Sequence, residues 1–256
     1  MLIDTHAHLF NQGFEDKKIE EIANSLNENN LEKVILASSS LLDSEGNVML
    51  TKKFDNFYAT VGIHPENAEE VTDENLLKIE SLAKNDKVVA IGEIGLDYHY
   101  DGYNKEKQIA GFVKQMELSN KLSLPFVIHL RDAYDDMLKI LKENKNLLNY
   151  GFDIHCFCGS KEVAGELLKL GAYFSFTGNI TFKNARKAIE VIDFLPENRI
   201  MTETDCPYLA PEPVRGTINE PKNVNYVFNK ICEIKNINKD VMDTIIRNNV
   251  RDFYKI

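Results

Sequence analysis

Tryptophan is absent from this 256-residue sequence, and cysteine and proline are scarce. Four cysteines in a chain of this length do not make the disulfide framework of a small secreted protein, so reduced thiols are expected. No apolar run approaches the roughly 18 residues of a membrane span, and the first ten residues lack the basic flank of an export signal. These absences predict a cytoplasmic protein without a membrane partner.

Basic residues are also outnumbered, with 30 Lys and Arg against 40 Asp and Glu, which gives a net charge of −10. A surface that follows a phosphate backbone usually carries an excess of Lys and Arg. The charge therefore argues against broad electrostatic attachment to nucleic acid or to an anionic membrane. A polyanionic substrate would need a locally positive site, for which bound metal ions are the obvious source.

Short apolar runs alternate with stretches of helical period along the whole chain, and no linker-like segment interrupts them. Segments 19–26 and 109–116 space their apolar residues as one face of a helix does. The alternation predicts a single α/β domain over residues 1–256, either a (β/α)8 TIM barrel or an open doubly wound sheet. Eight strands are predicted, at residues 2–5, 33–37, 57–62, 88–92, 125–129, 152–155, 172–176 and 200–204.

Polar residues at the ends of these strands favour the TIM barrel. In such a barrel the catalytic groups project from the C-terminal ends of the strands. Here the strand ends read THAH, GIHP, GEIGLD, IHLR, IHCF and ETDCP, and they hold five of the six histidines. Solvated histidines without a shared role would fall mostly in helices and loops. The sequence therefore predicts a barrel with a metal site at one rim.

The histidines and carboxylates at this rim are suitable metal ligands. His6 and His8 are two apart on extended backbone, so both imidazoles point to the same side. A lone His-x-His pair is weak support, but later strand ends add further donors. Histidine with Asp and Glu suits a divalent ion such as Zn²⁺ or Mn²⁺, and a carboxylate can bridge two ions. The predicted ligands are His6, His8, Glu93, His129, His155 and Asp205.

Eight longer motifs occur in order along almost the whole chain. They are IDTHAHL (3–9), VGIHPE (61–66), AIGEIGLDY (90–98), LPFVIHLRDA (124–133), IHCFCGS (154–160), SFTGNITFKNA (175–185), ETDCPYLAP (203–211) and RGTINEP (215–221). With these motifs the chain resembles the TatD-type deoxyribonucleases, a branch of the amidohydrolase-like metal-dependent hydrolases.

The resemblance implies two divalent ions, Zn²⁺, Mn²⁺ or Mg²⁺, and a DNA substrate. By this resemblance His6 and His8 bind the first ion with Glu93 and Asp205. The second ion is bound by His129 and His155, and Glu93 is shared. The implied activity is 3′-to-5′ exonuclease cleavage of single-stranded DNA from its 3′ end. We expect a monomer without an obligate protein partner.

Two carboxylates are expected to be catalytic. A carboxylate that binds a metal ion lies within reach of the attacking water, so Asp205 is the expected base, beside the bridging Glu93. Glu203 lies two residues before Asp205 and faces the same way on an extended strand, so we expect it to support a ligand. Cys156 and Cys158 are expected to be buried thiols on the opposite strand face, without a metal role.

Four further residues are candidates for substrate binding, and each has a structural alternative. His64 donates to a phosphate or is a satisfied barrel histidine. Arg131 and Arg215 hold a phosphate through paired donors or form ion pairs with acidic neighbours. Tyr98 stacks on a nucleobase or packs against the next helix.

Two other functions remain open from the residues alone. The same ions polarise a carbonyl, so the chain could be an amidohydrolase or esterase that acts on a small amide or aminoacyl ester. Many barrel hydrolases bridge two metals with a modified lysine on strand four, and Glu93 at that place favours the TatD interpretation. A non-catalytic metal-binding scaffold is the other alternative, although loss of catalysis usually removes a ligand and all six are present.

Overall fold

The computed structural model describes residues 1–256 and contains eight parallel strands and nine α-helices. The strands are β1 Leu2–Ala7, β2 Leu31–Leu36, β3 Phe57–Val61, β4 Val88–Asp97, β5 Phe126–Arg131, β6 Phe152–Ile154, β7 Tyr173–Phe176 and β8 Ile200–Thr202. The helices are α1 Asp16–Asn24, α2 Leu41–Lys53, α3 Asp73–Leu82, α4 Lys105–Leu122, α5 Tyr134–Glu143, α6 Lys161–Lys169, α7 Arg186–Phe194, α8 Val224–Lys235 and α9 Lys239–Tyr254. None of these helices has the length and apolar character needed to cross a membrane.

The strands follow one another around the sheet in chain order. Beyond the end of β8 the sheet returns to β1, where Ala7 and Cys206 form a parallel bridge. Next to it the Asp205 N–H donates to the carbonyl of His6 at 2.9 Å. The prediction of a (β/α)8 TIM barrel is therefore confirmed, and the open sheet is excluded.

Burial on both faces explains why these strands are so apolar. All residues of β1 and β4 are buried, because the lumen lies on one side and the helices cover the other. Helices α1 and α5 turn narrow apolar stripes toward the strands, including Ile22 and Leu141. The apolar core therefore encircles the barrel and holds the strand ends in a fixed ring.

Strand β4 is longer than predicted, because it continues past residue 92 to Asp97. Its register against β5 shifts between Ile91 and Ile94, so Glu93 lies at an irregularity inside the strand. Gly95, at φ +146°, pairs with His129 of β5, and a Cβ on it would overlap the carbonyl of His129. Only glycine permits this close approach, which brings β4 and β5 together at the rim.

Two buried glutamines of α4 fix the ends of β3 and β4. Gln115 accepts from the Ile63 N–H at 2.8 Å and donates to its carbonyl at 2.9 Å. Gln108 does the same with Asp97, at 2.9 and 2.8 Å. Each amide side chain thus satisfies a backbone donor and acceptor that lie at strand ends. These contacts hold the two segments from which the rim rises.

Candidate metal centre

The carboxylate of Glu93 lies between two pairs of histidines at the C-terminal rim of the barrel. Its Oε2 atom is 3.4 Å from His6 Nε2 and 3.6 Å from His8 Nε2. Its Oε1 atom is 2.8 Å from both His129 Nδ1 and His155 Nε2. One carboxylate oxygen therefore faces each pair.

Within each pair the two ring nitrogens point at each other. His6 Nε2 and His8 Nε2 are 3.2 Å apart, and so are His129 Nδ1 and His155 Nε2. Two facing nitrogens at this distance cannot both point a proton at each other, so each pair offers at least one lone pair, and the Glu93 oxygens beside the pairs add further acceptors. Two imidazole nitrogens and a carboxylate oxygen form a common donor set for Zn²⁺ or Mn²⁺. The side chains present therefore fit divalent ions.

Asp205 adds a second carboxylate to the first pair. Its Oδ1 atom is 3.4 Å from His8 Nε2 and 3.9 Å from His6 Nε2. The backbone at Asp205 is left-handed, at φ +55°. Immediately before it, Thr204 donates to the buried carboxylate of Asp4 through its N–H at 2.9 Å and its hydroxyl at 2.6 Å. Strand β1 thus positions Asp205 through Asp4.

The protonation of these side chains follows from their contacts. Burial alone would raise the pKa of Glu93, but the charge of His155 and the hydrogen bonds from His129 and His155 hold it well below its usual value. Burial alone would lower the pKa of His155, but Glu93 and the nearby Glu203 raise it well above its usual value. The site therefore pairs a carboxylate with protonated imidazole, and a metal ion would take the place of the proton.

Two further carboxylates lie beside the second histidine pair. Asp97 Oδ2 is 2.9 Å from His129 Nε2. Glu203 Oε1 accepts from the Cys156 N–H at 2.7 Å and lies 3.4 Å from His155 Nδ1, without hydrogen-bond geometry to that ring. A hydrogen-bonded carboxylate such as Asp97 fixes the ring orientation of a histidine ligand.

Asp97 and Asp4 were not predicted from the sequence, although period-two spacing could have found Asp4 directly, and Asp97 once β4 is known to continue past Gly95. Asp97 lies four residues after Glu93 on the same strand, and Asp4 lies two residues before His6. Residues at even spacing on a strand share a face. Each carboxylate therefore belongs to the lumen face that carries a proposed ligand.

His64 lies against the Glu93 carboxylate. Its Nε2 atom is 3.6 Å from Glu93 Oε1, and its Nδ1 atom accepts from the Glu66 N–H at 3.2 Å. Burial, together with the neighbouring His129, lowers the pKa of His64 to about 3, so its ring is neutral. Because Nδ1 accepts, the proton is on Nε2 and points toward the centre.

The two arginine candidates lie farther out on the rim. Arg131 lies opposite Asp97 in the register of β5 against β4. Its guanidinium lies 5.1 Å from the ring centroid of Tyr100. Arg215 lies 4.3 Å above the ring of Phe182 and is more than half exposed. Its nearest carboxylate is 3.9 Å away. The structure does not bring either arginine into the histidine cluster.

Tyr98 packs beside the helices that follow its strand. Its hydroxyl donates to Asp136 of α5 at 3.0 Å, and its ring stacks on Tyr103 at 4.6 Å between centroids. The ring of Tyr98 is therefore occupied by protein contacts on one face.

The expectation of two buried thiols after β6 is wrong for Cys158, which is exposed, while Cys156 is partly buried. Strand β6 ends at Ile154, and the backbone turns left-handed at Cys156, with φ +46°. Strand alternation therefore no longer sets the side-chain directions. The Cys158 sulfur accepts from Asn179 Nδ2 at 3.2 Å.

Comparisons with known proteins agree with this architecture. The family described as TatD-related DNase matches residues 3–255. A Bacillus subtilis protein named uncharacterized metal-dependent hydrolase YabD is 40% identical over 256 residues, covering 100% of both chains. The Escherichia coli protein YcfH, with the same description, is 32% identical and covers 100% of this chain and 96% of its own.

Two solved structures have the same fold. The crystal structure of YjjV, a TatD homolog from Escherichia coli K12, has a TM-score of 0.94 at 28% identity and covers 100% of this chain and 98% of its own. The hydrolase TatD family protein of Entamoeba histolytica has a TM-score of 0.86 at 26% identity, with 99% and 97% covered. The family predicted from the motifs is confirmed: this chain belongs to the TatD-related DNase family and is a metal-dependent hydrolase.

Proposed function

We propose that this protein is a two-metal phosphodiesterase that removes nucleotides from the 3′ end of single-stranded DNA. The observation that carries the proposal is the position of Glu93, whose two carboxylate oxygens face different histidine pairs. A carboxylate in this position suits a bridge between two divalent ions. The substrate class comes from the family, whose description is TatD-related DNase.

Six side chains would hold the ions. His6, His8, Asp205 and one oxygen of Glu93 would bind the first ion, and His129, His155 and the other oxygen would bind the second. When bound, such ions stabilise charge on a phosphodiester and lower the pKa of water toward ~7. They would also supply the positive charge that a chain of net charge −10 needs at its active site.

Asp205 is the proposed base. Burial would raise the pKa of Asp205, but the hydrogen bond and the charge of His8 outweigh it and lower the pKa. The carboxylate is therefore anionic at neutral pH and can accept a proton from the attacking water. Its place after a bend held by Thr204 and Asp4 keeps the acceptor oxygen over the cluster.

His64 is proposed to bind the substrate phosphate. Its neutral ring carries the proton on Nε2, and Glu93 lies 3.6 Å away, beyond good hydrogen-bond distance. A phosphate oxygen at the cluster could therefore receive this proton as a hydrogen bond. Arg131 and Arg215 lie at the rim, where they would contact the strand away from the bond that is cut.

The test is an assay of chelator-treated protein on single-stranded DNA labelled at one end, restored with Zn²⁺, Mn²⁺, Mg²⁺ or Co²⁺ in turn. We expect release of mononucleotides from the 3′ end with at least one ion. Asp205→Asn should reduce the rate by roughly 10²–10⁴-fold, the usual contribution of a positioned base. Asp132→Asn is the matched control, because Asp132 is exposed on the same rim and its carboxylate hydrogen-bonds only to His99.

Three results would contradict the proposal. Inactivity on DNA with every ion would remove the substrate assignment, and turnover of a small amide or aminoacyl ester under the same conditions would favour an amidohydrolase or esterase. Products released from internal positions or from the 5′ end would retain the phosphodiesterase and exclude the 3′ polarity.

A further inference from the structure

A segment after β7 differs in charge from the rest of this acidic chain. No Asp or Glu occurs between Glu166 and Glu190, whereas 40 acidic residues are spread over the whole sequence. Within this stretch Lys183, Arg186 and Lys187 are exposed at the surface. The stretch therefore creates a local excess of positive charge on a protein of net charge −10.

The side chains of these three cations have no partners within the protein. Elsewhere lysines are commonly neutralised, as Lys142 is by Glu166 at 2.6 Å and Lys114 by Asp73 at 2.8 Å. The structure contains no carboxylate within 4.0 Å of Lys183, Arg186 or Lys187, and their side chains make no hydrogen bond. Their charges are thus available to an external anion.

The segment lies on the same rim as the metal centre, because it follows the C-terminal end of β7. It is also packed against the loop after β8, which carries Asp205. A Cβ on Gly178 would overlap the carbonyl of Leu209, so the two loops are in direct contact there. Three residues later, the Thr181 hydroxyl accepts from the Glu212 N–H at 2.9 Å.

Arg215 extends this cationic surface from the β8 loop. Its guanidinium lies 4.3 Å above the ring of Phe182, the residue directly before Lys183. The only carboxylate near it is Glu212, at 3.9 Å, in an exposed pair that contributes little. A guanidinium over an aromatic ring keeps its N–H donors free at the edge, where a phosphate can accept from them.

We infer that Lys183, Arg186, Lys187 and Arg215, here named the cationic strip, bind the phosphate backbone of the substrate strand on the 5′ side of the bond that is cut. The inference rests on the proposed function for the identity of the strand. The metal centre would hold the 3′ end, and the strip would hold phosphates beyond it. Backbone contacts of this kind carry no base preference and position the strand.

The experiment measures binding of a fluorescently labelled single-stranded oligonucleotide by anisotropy, in chelator, over a range of salt concentrations. The test variant combines Lys183→Gln, Arg186→Gln and Lys187→Gln, which are exposed and unpaired, and leaves Arg215 intact. We expect weaker binding at low salt. The slope of log affinity against log salt should become shallower by about 2, from ~0.7 per single-strand phosphate contact.

A charge-matched control combines Lys142→Gln, Lys145→Gln and Lys169→Gln. Lys142 and Lys169 are exposed in the last turns of α5 and α6, and the exposed Lys145 follows α5, so all three lie at the opposite end of the barrel. The control should bind DNA with the affinity and salt slope of the unmodified protein. An equal loss in both variants would mean that only net charge matters, and it would overturn the inference.

The outcomes separate the strip from the proposed activity. Equal affinity and equal slope in the test variant and the unmodified protein, with DNA cleavage present, would overturn the strip alone. Strip-dependent binding without cleavage under any ion would support the strip and contradict the exonuclease. No binding of single-stranded DNA by the unmodified protein, at any salt concentration, would overturn the strip whatever the cleavage assay gives.

Discussion

Replacing Asp97 by Asn tests how the second histidine pair is held. Asp97 Oδ2 is 2.9 Å from His129 Nε2, and Oδ1 accepts from the His99 N–H at 2.9 Å. Burial would raise the pKa of Asp97, but these two hydrogen bonds lower it, so the side chain is a charged carboxylate. The asparagine keeps an acceptor for the His99 N–H and the backbone contacts of Gln108, and it loses the negative charge that faces His129.

Loss of such a partner usually weakens metal affinity or activity 10–100-fold, which corresponds to about 1.4–2.7 kcal/mol. For Asp97→Asn we therefore expect the metal concentration that half restores activity to rise by roughly 10–100-fold. Excess metal should recover most of the rate, because His129 itself remains. The measurement is a metal titration of chelator-treated protein with hydrolysis as the readout.

The matched control is Asp136→Asn. Asp136 is also a carboxylate with two partners, Tyr98 and Lys105, but it lies on α5 outside the cluster. Its substitution should leave the metal titration unchanged. If the Asp97→Asn protein requires no more metal than the unmodified protein, Asp97 does not orient a metal ligand and the reasoning is refuted.

Four other predictions follow from the structure. Gly95→Ala should lower the free energy of unfolding in urea by roughly 3–6 kcal/mol, because backbone strain and overlap with His129 add together. Gly102→Ala, also at positive φ but in open space, should lower it by only about 1–2 kcal/mol. Similar losses in the two variants would contradict the overlap. Gln115→Leu should lower the free energy of unfolding by roughly 2–6 kcal/mol, because two buried backbone groups after β3 lose their hydrogen-bond partners. Lys114→Ala, on the exposed side of the same helix, should lower it by less than about 1 kcal/mol. Burial lowers the pKa of three site histidines, but the carboxylates that face them raise it by more, so the net shift is upward. Metal binding near neutral pH should therefore release protons and strengthen as pH rises. Calorimetry in buffers of different ionisation enthalpy should detect this proton release. Hydrogen bonding lowers the pKa of Cys158 to about 7, so iodoacetamide at pH 7 should alkylate this thiol before the other cysteines. Peptide mass mapping measures the order of modification. If another cysteine is modified first, Cys158 is not the most reactive thiol.

The sequence alone could predict the barrel and the convergence of the proposed ligands. Parallel strands end at one edge, so side chains at these ends meet whatever the loops between them do. Strand alternation alone predicts that His6 and His8 point to the same side, and the structure places their Nε2 atoms 3.2 Å apart. This part of the site is therefore encoded in local pattern and topology.

The rest depended on features that local pattern does not reveal. Gly95 within GEIGLD is typical of a turn, so the predicted strand stopped before it, and Asp97 was left out. Buried Gln108 and Gln115 look like exposed positions of α4 in a helical pattern. Their burial follows from the backbone groups that they meet, which only the tertiary structure supplies. The prediction that Cys158 is buried was wrong, because β6 ends earlier than predicted and strand alternation does not extend to residue 158.

The most direct measurement of the proposed metal centre is anomalous diffraction from crystals grown with Mn²⁺. We expect two peaks, one among His6, His8 and Asp205 and one between His129 and His155, each next to a different oxygen of Glu93. A single peak, or peaks that leave the Glu93 carboxylate without contact to a metal, would contradict the bridging role on which the proposed function depends.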